Sequence, residues 1–362
     1  MLDDKADKIL IIRLSAIGDV IHSLPTAYAI RQKYPNAQID WLVEDKAFPL
    51  VNMNPYLDNA IILPRKKWKK EIKDKGIIHT IKEFWSFYKM MRNKNYDISL
   101  DLHGLFKSSF SAFLIKADLR MGPADGRELS QFFYQAKIDL KDSKLHKVER
   151  SLQLAGALGA NTELVNYGLK ITPVVKSRVS RLFEMEKINH NKRLIILNPF
   201  TTWESKNWFL ERYFGLADEL IEEGHYVIFT GSNSDKEAIE KYDGKKDSYS
   251  NLAGKTDLQE LTEIYNRADL YIGGDTGPTH LAAAVGLKVI ALMGPTDPDT
   301  HGPYGEGHTV IQDNSLKCIR CWDEQCSRNM QCMKSITVNQ VMRIARKKLD
   351  KMKLEDGVNE SN

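Results

Sequence analysis

Cysteine is scarce in this chain, and its placement excludes one class of protein. All four cysteines lie between residues 318 and 332, so none elsewhere could complete the cross-links of a disulfide-scaffolded secreted protein. No stretch supplies the ~18 consecutive apolar residues that a membrane-spanning helix needs. The apolar segment 9–14 contains Arg13, so a secretory signal is not expected. These absences predict a cytoplasmic protein.

The net charge is also small. Lys and Arg number 52 and Asp and Glu 48, which leaves +4 on 362 residues. A nucleic-acid-binding protein usually carries a broader basic face. The positive charge is concentrated in one segment, whose basic residues are Arg65, Lys66, Lys67, Lys69, Lys70, Lys73 and Lys75. This cluster indicates an anionic substrate or an anionic membrane surface, although a solvated loop is the commoner origin of a charge run.

Short apolar segments alternate with longer helix-like segments along most of the chain. This alternation is typical of βαβ units and predicts parallel sheets covered by helices. The pattern restarts after the polar stretch 176–192, which suits a helix and linker. We therefore predict two Rossmann-like domains, 1–175 and 192–335, followed by a basic helix and a disordered tail over 336–362. The predicted strands are 8–14, 38–44, 60–63, 97–102, 194–197, 226–230, 270–272 and 289–293, and the main predicted helices are 20–33, 78–91, 105–115, 148–158, 210–223, 235–242, 258–267, 278–285 and 338–349.

The segment 273–284 has the composition of a phosphate-binding turn. A Gly-rich turn follows an apolar strand and leads into a helix of small residues, where Pro278 suits the first turn. A helix N-terminus presents free N–H groups to an anion, while Thr276 adds a hydroxyl and Gly277 allows close approach. A plain helix cap at Asp275 or Thr276 explains the same residues equally well.

Two other predicted strand ends carry side chains that suit a transfer reaction. Asp19 falls on the first turn of a helix, where the helix dipole favours an ionised carboxylate. It could accept a proton from a sugar hydroxyl, or it could serve the helix alone. The loop 198–208 holds Thr201, Thr202 and Lys206 among aromatic residues. A lysine there can neutralise a leaving diphosphate, a task often given to a metal ion.

The cysteines are spaced C-x2-C-x4-C-x5-C. The first pair has the spacing of a zinc knuckle, while the second half is irregular. One explanation is a structural zinc ion bound by Cys318, Cys321, Cys326 and Cys332. The other is a set of free thiols packed in a C-terminal subdomain.

Together these segments resemble the bacterial lipopolysaccharide heptosyltransferases, the ADP-heptose-using enzymes of glycosyltransferase family 9. In chain order the resemblance is carried by RLSAIGDVIHSLP at 13–25, TTWESKNW at 201–208, DTGPTHLAAA at 275–284 and GPTDP at 294–298. A finer resemblance to type I enzymes, which glycosylate Kdo on lipid A, is carried by KKWKK at 66–70, DLHGLFKS at 101–108, GRE at 126–128 and HKVER at 146–150. The Cys-rich segment with Met333 is more similar to type II enzymes.

The resemblance implies a GT-B fold, in which two Rossmann-like domains face each other across a cleft, and an inverting displacement at the anomeric carbon. By motif position Asp19 would be the general base, and Lys206 would stabilise the leaving diphosphate. The other implied donor-binding residues are Thr201, Thr202, Asp235, Thr256, Asp275, Thr276, Gly277 and His280, with Asp235 standing where the family has a Glu. The implied acceptor-binding residues are Ser15, Gly18, Lys66, Lys67, Lys69, Lys70, Lys107, Arg127 and Arg150.

The resemblance thus predicts a metal-independent glycosyltransferase that requires no cofactor for catalysis, with a structural zinc ion possible. Its expected partners are ADP-heptose, a Kdo-lipid A or related inner-core acceptor, and the anionic inner-membrane leaflet contacted peripherally from the cytoplasmic side; no nucleic acid is expected. Two alternatives stay open: type II transfer to an existing inner-core heptose, and a zinc-bearing nucleic-acid-binding protein. The missing GxGxxG motif disfavours an NAD-dependent oxidoreductase.

Overall fold

The computed structural model describes residues 6–140, 142, 144–244 and 246–359, with the backbone alone for residue 246 and residues 354–359. The chain forms two compact units that divide between Lys170 and Ile171. Each unit contains one six-stranded parallel sheet covered by helices. The predicted α/β class with two Rossmann-like halves is therefore confirmed.

The first unit is built on a sheet of order β3-β2-β1-β4-β5-β6. Its strands are β1 (Lys8–Ile12), β2 (Gln38–Val43), β3 (Asn59–Ile62), β4 (Ile98–Asp101), β5 (Leu119–Pro123) and β6 (Ala136–Ile138). Its helices are α1 (Ile17–Ser23), α2 (Pro25–Lys33), α3 (Phe48–Asn52), α4 (Arg65–Lys75), α5 (Ile77–Arg92), α6 (Phe106–Ile115) and α7 (Lys147–Gly156).

The second unit repeats the same topology, with a sheet of order β12-β11-β10-β7-β8-β9. Its strands are β7 (Leu194–Asn198), β8 (Tyr226–Phe229), β9 (Tyr249–Asn251), β10 (Leu270–Gly274), β11 (Lys288–Leu292) and β12 (Thr309–Ile311). Its helices are α8 (Pro173–Met185), α9 (Leu210–Glu222), α10 (Lys236–Ile239), α11 (Leu258–Asn266), α12 (Gly277–Ala284), α13 (Pro298–His301), α14 (Gln331–Lys334) and α15 (Val338–Asn359).

In each sheet the order of the strands reverses beside the first strand of the unit. In the first unit β1 lies between β2 and β4, and Ile12 is in register with Leu42 on one side and Asp101 on the other. In the second unit β7 lies between β8 and β10 in the same way. Connections that leave the two neighbouring strand ends pass to opposite faces of the sheet, so a crevice opens between them. Ligand sites are therefore expected at the carboxyl ends of β1 and β4, and of β7 and β10.

The central strands are apolar throughout because both faces of each sheet are covered. Ile9, Leu10, Ile11 and Ile12 of β1 are all fully buried. In the second unit the core includes buried residues of the C-terminal helix α15, such as Val341 and Met342. The buried indole of Trp208 donates a hydrogen bond over 2.9 Å to the carbonyl oxygen of Ile336, just before that helix.

Several predicted boundaries were wrong for local reasons. The predicted helix 20–33 is divided at Pro25, which lacks an N–H group and begins α2. The short strands β5, β6, β9 and β12 were not predicted. The predicted tail was wrong over 355–359, where α15 continues, and 360–362 lie outside the described residues. The basic segment is a helix, α4, rather than a loop. Of the helices that the structure describes, none combines the length and apolarity needed to cross a bilayer.

Gly122 gives a direct test of the packing in the first unit. A Cβ atom on this buried β5 residue would lie 2.4 Å from the ring of Tyr134, which is itself 6% exposed. We expect Gly122→Ala to lower the free energy of unfolding by about 1–3 kcal/mol, measured by urea denaturation. The matched control is Gly215→Ala inside α9, where nothing lies within 4 Å of the added atom. That change should stabilise by about 0.5–1 kcal/mol, and equal effects of the two substitutions would contradict the packing argument.

Candidate active-site residues at the carboxyl edges of the two sheets

In the first unit, the loops that follow β1 and β4 are tied together by hydrogen bonds. Arg13 donates from Nη1 to the Leu102 carbonyl oxygen over 2.6 Å, and the Leu14 amide donates to Nδ1 of His103 over 3.3 Å. Both loops emerge at the strand reversal described above. The sequence motifs that contain Asp19 and Lys107 are thereby brought to one edge of the sheet.

Asp19 lies on the first turn of α1 and is held from two sides. Its Oδ1 is 3.0 Å from Nη2 of Arg13, and its Oδ2 accepts a hydrogen bond from the Ala16 amide over 3.3 Å. Burial opposes ionisation, but the Arg13 guanidinium and the Lys147 ammonium hold the pKa of Asp19 below its ordinary value. Since 33% of the side chain is exposed, the ionised carboxylate is accessible from solvent.

Two further groups set the electrostatics around Asp19. Burial, reinforced by the charges of Arg13 and Lys107, lowers the pKa of His103 to about 2, so its imidazole is neutral. Burial also lowers the pKa of Lys147, while Asp19 acts in the opposite direction. Sequence reasoning did not single out Arg13 or Lys147 as site residues, although both lie inside quoted motifs. Their role depends on tertiary proximity to Asp19, which the motifs alone do not reveal.

The candidate acceptor residues lie in four different surroundings. Ser15 accepts a hydrogen bond from Nζ of Lys107 over 2.6 Å, and Lys107 also lies 3.5 Å from Glu44, so this pair belongs to the same edge as Asp19 and Gly18. Arg127 is exposed near this edge, where its charge acts on His103 and Lys147. Arg150 is bound by Asp125 through two hydrogen bonds of 2.6 and 2.9 Å. The remaining candidates, Lys66, Lys67, Lys69 and Lys70, lie along α4.

In the part of the chain that the structure describes, the α4 lysines do not contact Asp19, Arg13 or Lys107. Lys67 is instead bound to Glu83 over 2.8 Å. Arg65, at the first position of α4, is 2.7 Å from Glu44, which connects the start of the helix to Lys107 and Ser15. The basic helix therefore begins at the Asp19 edge and extends away from it.

In the second unit, the loops after β7 and β10 meet through a buried charge cluster. Nζ of Lys206 is 2.7 Å from Oδ2 of Asp275, and Nε2 of His280 is 3.2 Å from Oδ1 of the same carboxylate. The lysine also lies over the ring of Trp203, 4.1 Å from its centroid. Burial of Asp275 opposes its ionisation, but His280 and Lys206 together keep its pKa far below the ordinary value. The carboxylate is thus ionised and holds both partners in place.

This geometry bears on one of the two interpretations of the segment 273–284, the plain helix cap. Asp275 points its carboxylate at Lys206 and His280, and Thr276 occupies the N-cap position of α12 without a side-chain cap hydrogen bond. Neither side chain acts as a plain helix cap. Gly274 is required for the close approach of the two loops, because a Cβ atom there would lie 2.8 Å from Cγ2 of Thr201 and 3.0 Å from the Lys206 carbonyl oxygen.

The other donor candidates are placed less directly. The hydroxyl of Thr201 donates to the Trp203 carbonyl oxygen over 2.8 Å, while Thr202 is exposed on the same loop. Asp235 accepts hydrogen bonds from the amide and hydroxyl of Ser232, both over 2.7 Å, and so caps its own turn. Thr256 is half-buried in the loop before α11. The described contacts bring Thr201 to Lys206 and Asp275, but they do not bring Asp235 or Thr256 there.

The four cysteines do not assemble a metal site in the structure. Across residues 6–140, 142, 144–244 and 246–359, no three His, Cys, Asp or Glu side chains form a group that could hold a metal ion. Sγ of Cys326 accepts hydrogen bonds from the amides of Arg328 and Met330, and Cys332 is buried beside Gly294. The zinc ion stays a prediction without geometric support.

The Cys-bearing segment, residues 318–332, instead packs against the loops around Lys206 and Pro295. The Ser205 hydroxyl donates to the Asp323 carbonyl oxygen over 2.6 Å, so the segment contacts the Lys206 loop. Arg320 lies 2.8 Å from Asp297, and the Trp322 amide donates to the Pro295 carbonyl oxygen over 2.8 Å. The segment thereby packs against both the 203–206 turn and the 294–298 loop.

Two Rossmann-like units, each with charged groups at its strand reversal, are the architecture of glycosyltransferases of the GT-B class. The chain belongs to glycosyltransferase family 9 (heptosyltransferase), whose family model matches residues 84–331. The protein is therefore an enzyme, as predicted, and the family assignment lends no support to the alternative of a zinc-bearing nucleic-acid-binding protein.

Named relatives agree with this assignment. The chain is 27% identical over 315 residues to the lipopolysaccharide core heptosyltransferase OpsX of Haemophilus influenzae, covering 85% of each chain. It is 26% identical over 329 residues to lipopolysaccharide heptosyltransferase 1 of Pseudomonas aeruginosa, covering 88% of this chain and 87% of that one. Enzymes named heptosyltransferase 2 and 3 are similar as well. The fold is shared with E. coli heptosyltransferase WaaC with ADP, at a TM-score of 0.76 and 23% identity over 94% of this chain and 99% of that one.

The Arg13–Asp19 contact makes a prediction about ionisation. We expect Arg13→Gln to raise the pKa of Asp19, because the opposing positive charge is lost while burial remains. The measurement is ¹³C NMR of carboxyl-labelled aspartate as a function of pH, with Asp19→Asn to assign the signal. Since a lowered pKa stabilises the fold above the ordinary value of 3.8, the wild-type protein should lose this contribution as pH falls below it, and Arg13→Gln should lose less.

The control for this titration is Arg31→Gln, which removes a different ion pair of the first unit, the one with Asp58. It should leave the pKa of Asp19 unchanged. An unchanged pKa in Arg13→Gln as well would show that Arg13 does not govern Asp19.

Proposed function

We propose that the protein transfers a heptosyl residue from ADP-heptose to the Kdo of the lipopolysaccharide inner core, with inversion at the anomeric carbon. The observation that carries the proposal is the meeting of Lys206 with the Asp275–Gly277 turn at the strand reversal of the second unit. That is where a parallel α/β sheet binds a nucleotide diphosphate. A relative named lipopolysaccharide core heptosyltransferase and another named lipopolysaccharide heptosyltransferase 1 support the sugar and the pathway.

In this mechanism the second unit stabilises the leaving group. Negative charge grows on the diphosphate as the anomeric C–O bond breaks, and the Lys206 ammonium neutralises it. The N-terminus of α12 adds amide donors and the positive end of its dipole. Asp275 acts as a positioning residue that holds Lys206 and His280. Because Lys206 supplies the positive charge, we propose that catalysis requires no metal ion.

The first unit supplies the proton acceptor. As the acceptor hydroxyl oxygen forms its bond to the anomeric carbon, its proton passes to the ionised carboxylate of Asp19. Arg13 keeps that carboxylate ionised at neutral pH. A base of low pKa suffices when the hydroxyl becomes acidic only as the new bond forms. The products are the heptosylated acceptor and ADP.

The charge around Asp19 favours an acidic acceptor sugar. Lys107, Lys147 and Arg127 lie on this edge of the first unit, and Kdo carries a carboxylate that they can bind. A neutral inner-core heptose does not use these charges. Type II transfer to such a heptose is the second candidate, supported by the Cys-bearing segment and by a relative named heptosyltransferase 2. With either acceptor the enzyme would work at the cytoplasmic face of the inner membrane, in peripheral contact with its anionic lipids.

The acceptor assignment is tested by offering the purified protein ADP-heptose with either Kdo₂-lipid A or heptosyl-Kdo₂-lipid A. We expect transfer to the first and little to the second, detected by mass spectrometry of the glycolipid. Transfer is also expected to persist in EDTA. Preference for the heptosylated acceptor would establish type II specificity, and transfer to neither would overturn the proposed reaction.

Two substitutions should separate the proposed roles of the two units. Asp19→Asn should slow transfer by about a hundredfold to ten-thousandfold while ADP binding stays intact, because it removes only the base. Lys206→Ala should weaken ADP binding by about tenfold to a hundredfold, since a charge-assisted hydrogen bond is lost. Transfer is followed by release of ADP, and binding by isothermal titration calorimetry.

The matched controls for this pair are Asp118→Asn and Lys347→Ala, which change exposed residues of the same charge in the first and second unit. Both should behave as wild type. Normal turnover by Asp19→Asn would exclude it as the base, and unchanged ADP affinity in Lys206→Ala would exclude the lysine from the diphosphate site.

A further inference from the structure

The hairpin formed by α4 and α5 is anchored by its inner face. Trp68 of α4 is buried, and its ring centroid lies 5.1 Å from that of Phe84 and 5.6 Å from that of Phe87 on α5. Tyr88 and Met91 of α5 are buried in the same cluster. These contacts hold the two helices together, so the residues on the outer face are not needed for that purpose.

The outer face of α4 carries unneutralised positive charge. Lys66, Lys69, Lys70 and Lys73 recur at the spacing of one helix face, and all are exposed. Lys67 and Lys75, by contrast, are ion-paired with Glu83 and Glu71. No ion pair joins the four outward lysines to any residue that the structure describes. Such a row of free cations attracts an anionic surface.

The outer face of α5 carries exposed apolar side chains. Ile78, Ile81 and Trp85 follow the i, i+3, i+7 spacing of one helical stripe and are 72%, 49% and 50% exposed. Ile77, at the start of α5, and Ile72, in the last turn of α4, are 62% and 47% exposed. Contiguous exposure of large apolar residues marks an interaction surface rather than a solvated one.

The lysine row and the apolar stripe together indicate what binds this surface. A protein groove would accept an apolar stripe, but it does not account for the adjacent row of unpaired lysines. An anionic bilayer surface uses both, because lysines bind lipid phosphates while isoleucine and tryptophan enter the boundary between headgroups and acyl chains. The hairpin also starts at the edge that carries Asp19, through the contacts of Arg65 with Glu44 and of Glu44 with Lys107.

We propose that the α4–α5 hairpin docks the enzyme on an anionic bilayer, with the outward lysines at the lipid phosphates and Ile78, Ile81 and Trp85 inserted below them. The inference deepens the proposed function and rests on it in one respect, that a lipid-anchored acceptor lies in such a surface. Binding itself requires neither donor nor acceptor. It can therefore be measured on vesicles that contain no lipopolysaccharide.

The experiment is co-sedimentation of the full-length protein with phosphatidylcholine vesicles that contain or lack phosphatidylglycerol. We expect binding to the anionic vesicles only, weakened by added salt. With brominated lipids the wild-type fluorescence should be quenched, and the quenching should be reduced in Trp85→Phe. The triple variant Ile78→Ser/Ile81→Ser/Trp85→Ser should bind at least about tenfold more weakly. Lys73→Gln, which removes one of the four outward lysines of α4, should cost about fivefold.

The control variant Val174→Ser/Met185→Ser removes exposed apolar side chains from α8 in the second unit, where they are 69% and 72% exposed. It should bind vesicles as wild type does. Circular dichroism and ADP titration establish that each variant is folded. Wild-type protein that ignores anionic vesicles at low salt, or a triple Ser variant that binds them normally, overturns the proposal. The proposal is also overturned if the wild-type protein is a dimer that binds no vesicles and the triple Ser variant is a monomer.

These outcomes are independent of the proposed reaction. Transfer to a detergent-solubilised acceptor without vesicle binding would leave the reaction standing and remove the docking surface. Vesicle binding without transfer to either acceptor would leave the docking surface standing and overturn the proposed reaction.

Discussion

The order of strands in the two sheets constrains where this enzyme can place reactive groups. In each unit the first strand lies inside the sheet with its sequence neighbours on one side and the later strands on the other. The loops after β1 and β4, and after β7 and β10, must therefore diverge at the same edge. Arg13, Asp19 and Lys107 come from the first pair of loops, and Lys206 and Asp275 come from the second. Topology, rather than any single motif, brings these side chains together.

Each edge holds one carboxylate against a cation, but the two pairs differ in burial. Asp275 is 5% exposed and has both oxygens engaged, by Lys206 and His280. A carboxylate in that state is costly to bury and is retained for the geometry it imposes on its partners. Asp19 keeps 33% of its side chain exposed, although Arg13 is bound to one oxygen and the Ala16 amide donates to the other. Similar ion pairing thus leaves a carboxylate that is buried in the second unit and one that is accessible to solvent in the first.

Much of the fold could be predicted from the sequence because its long elements are strongly patterned. Central strands such as β1 and β10 are continuous apolar segments, and helices such as α5, α9 and α11 repeat at 3.6 residues. The strands that were missed, such as β6 and β9, have three residues each and lie at the edges, where pairing rather than local pattern defines them. The division between α1 and α2 depends on Pro25, which stands at the first position of α2 and is visible in the sequence itself.

The sequence predicted the candidate site residues that a single motif makes recognisable. It missed those whose place in the site depends on which residues lie near them in the fold. Asp19 and Lys206 stand out because charged residues follow apolar strands. Arg13 and Lys147 acquire their significance only from their nearness to Asp19. The sequence could not say whether Asp275 caps a helix or binds a lysine, since both use the same residue at the same position. Only the distance of 2.7 Å to Nζ of Lys206 decides it.

The basic residues of α4 have different surroundings because helix geometry points them in different directions. Arg65 stands at the first turn of α4, beside Glu44 at the reactive edge, while Lys67 and Lys75 turn back to acidic partners on the hairpin. Lys73 is eight residues beyond Arg65, which on an α-helix corresponds to roughly 12 Å along the axis. A sugar held near Ser15 and Asp19 is out of reach of that lysine, but the lipid that carries the sugar is not. The far end of α4 therefore suits the bilayer, and its near end suits the acceptor's own charges.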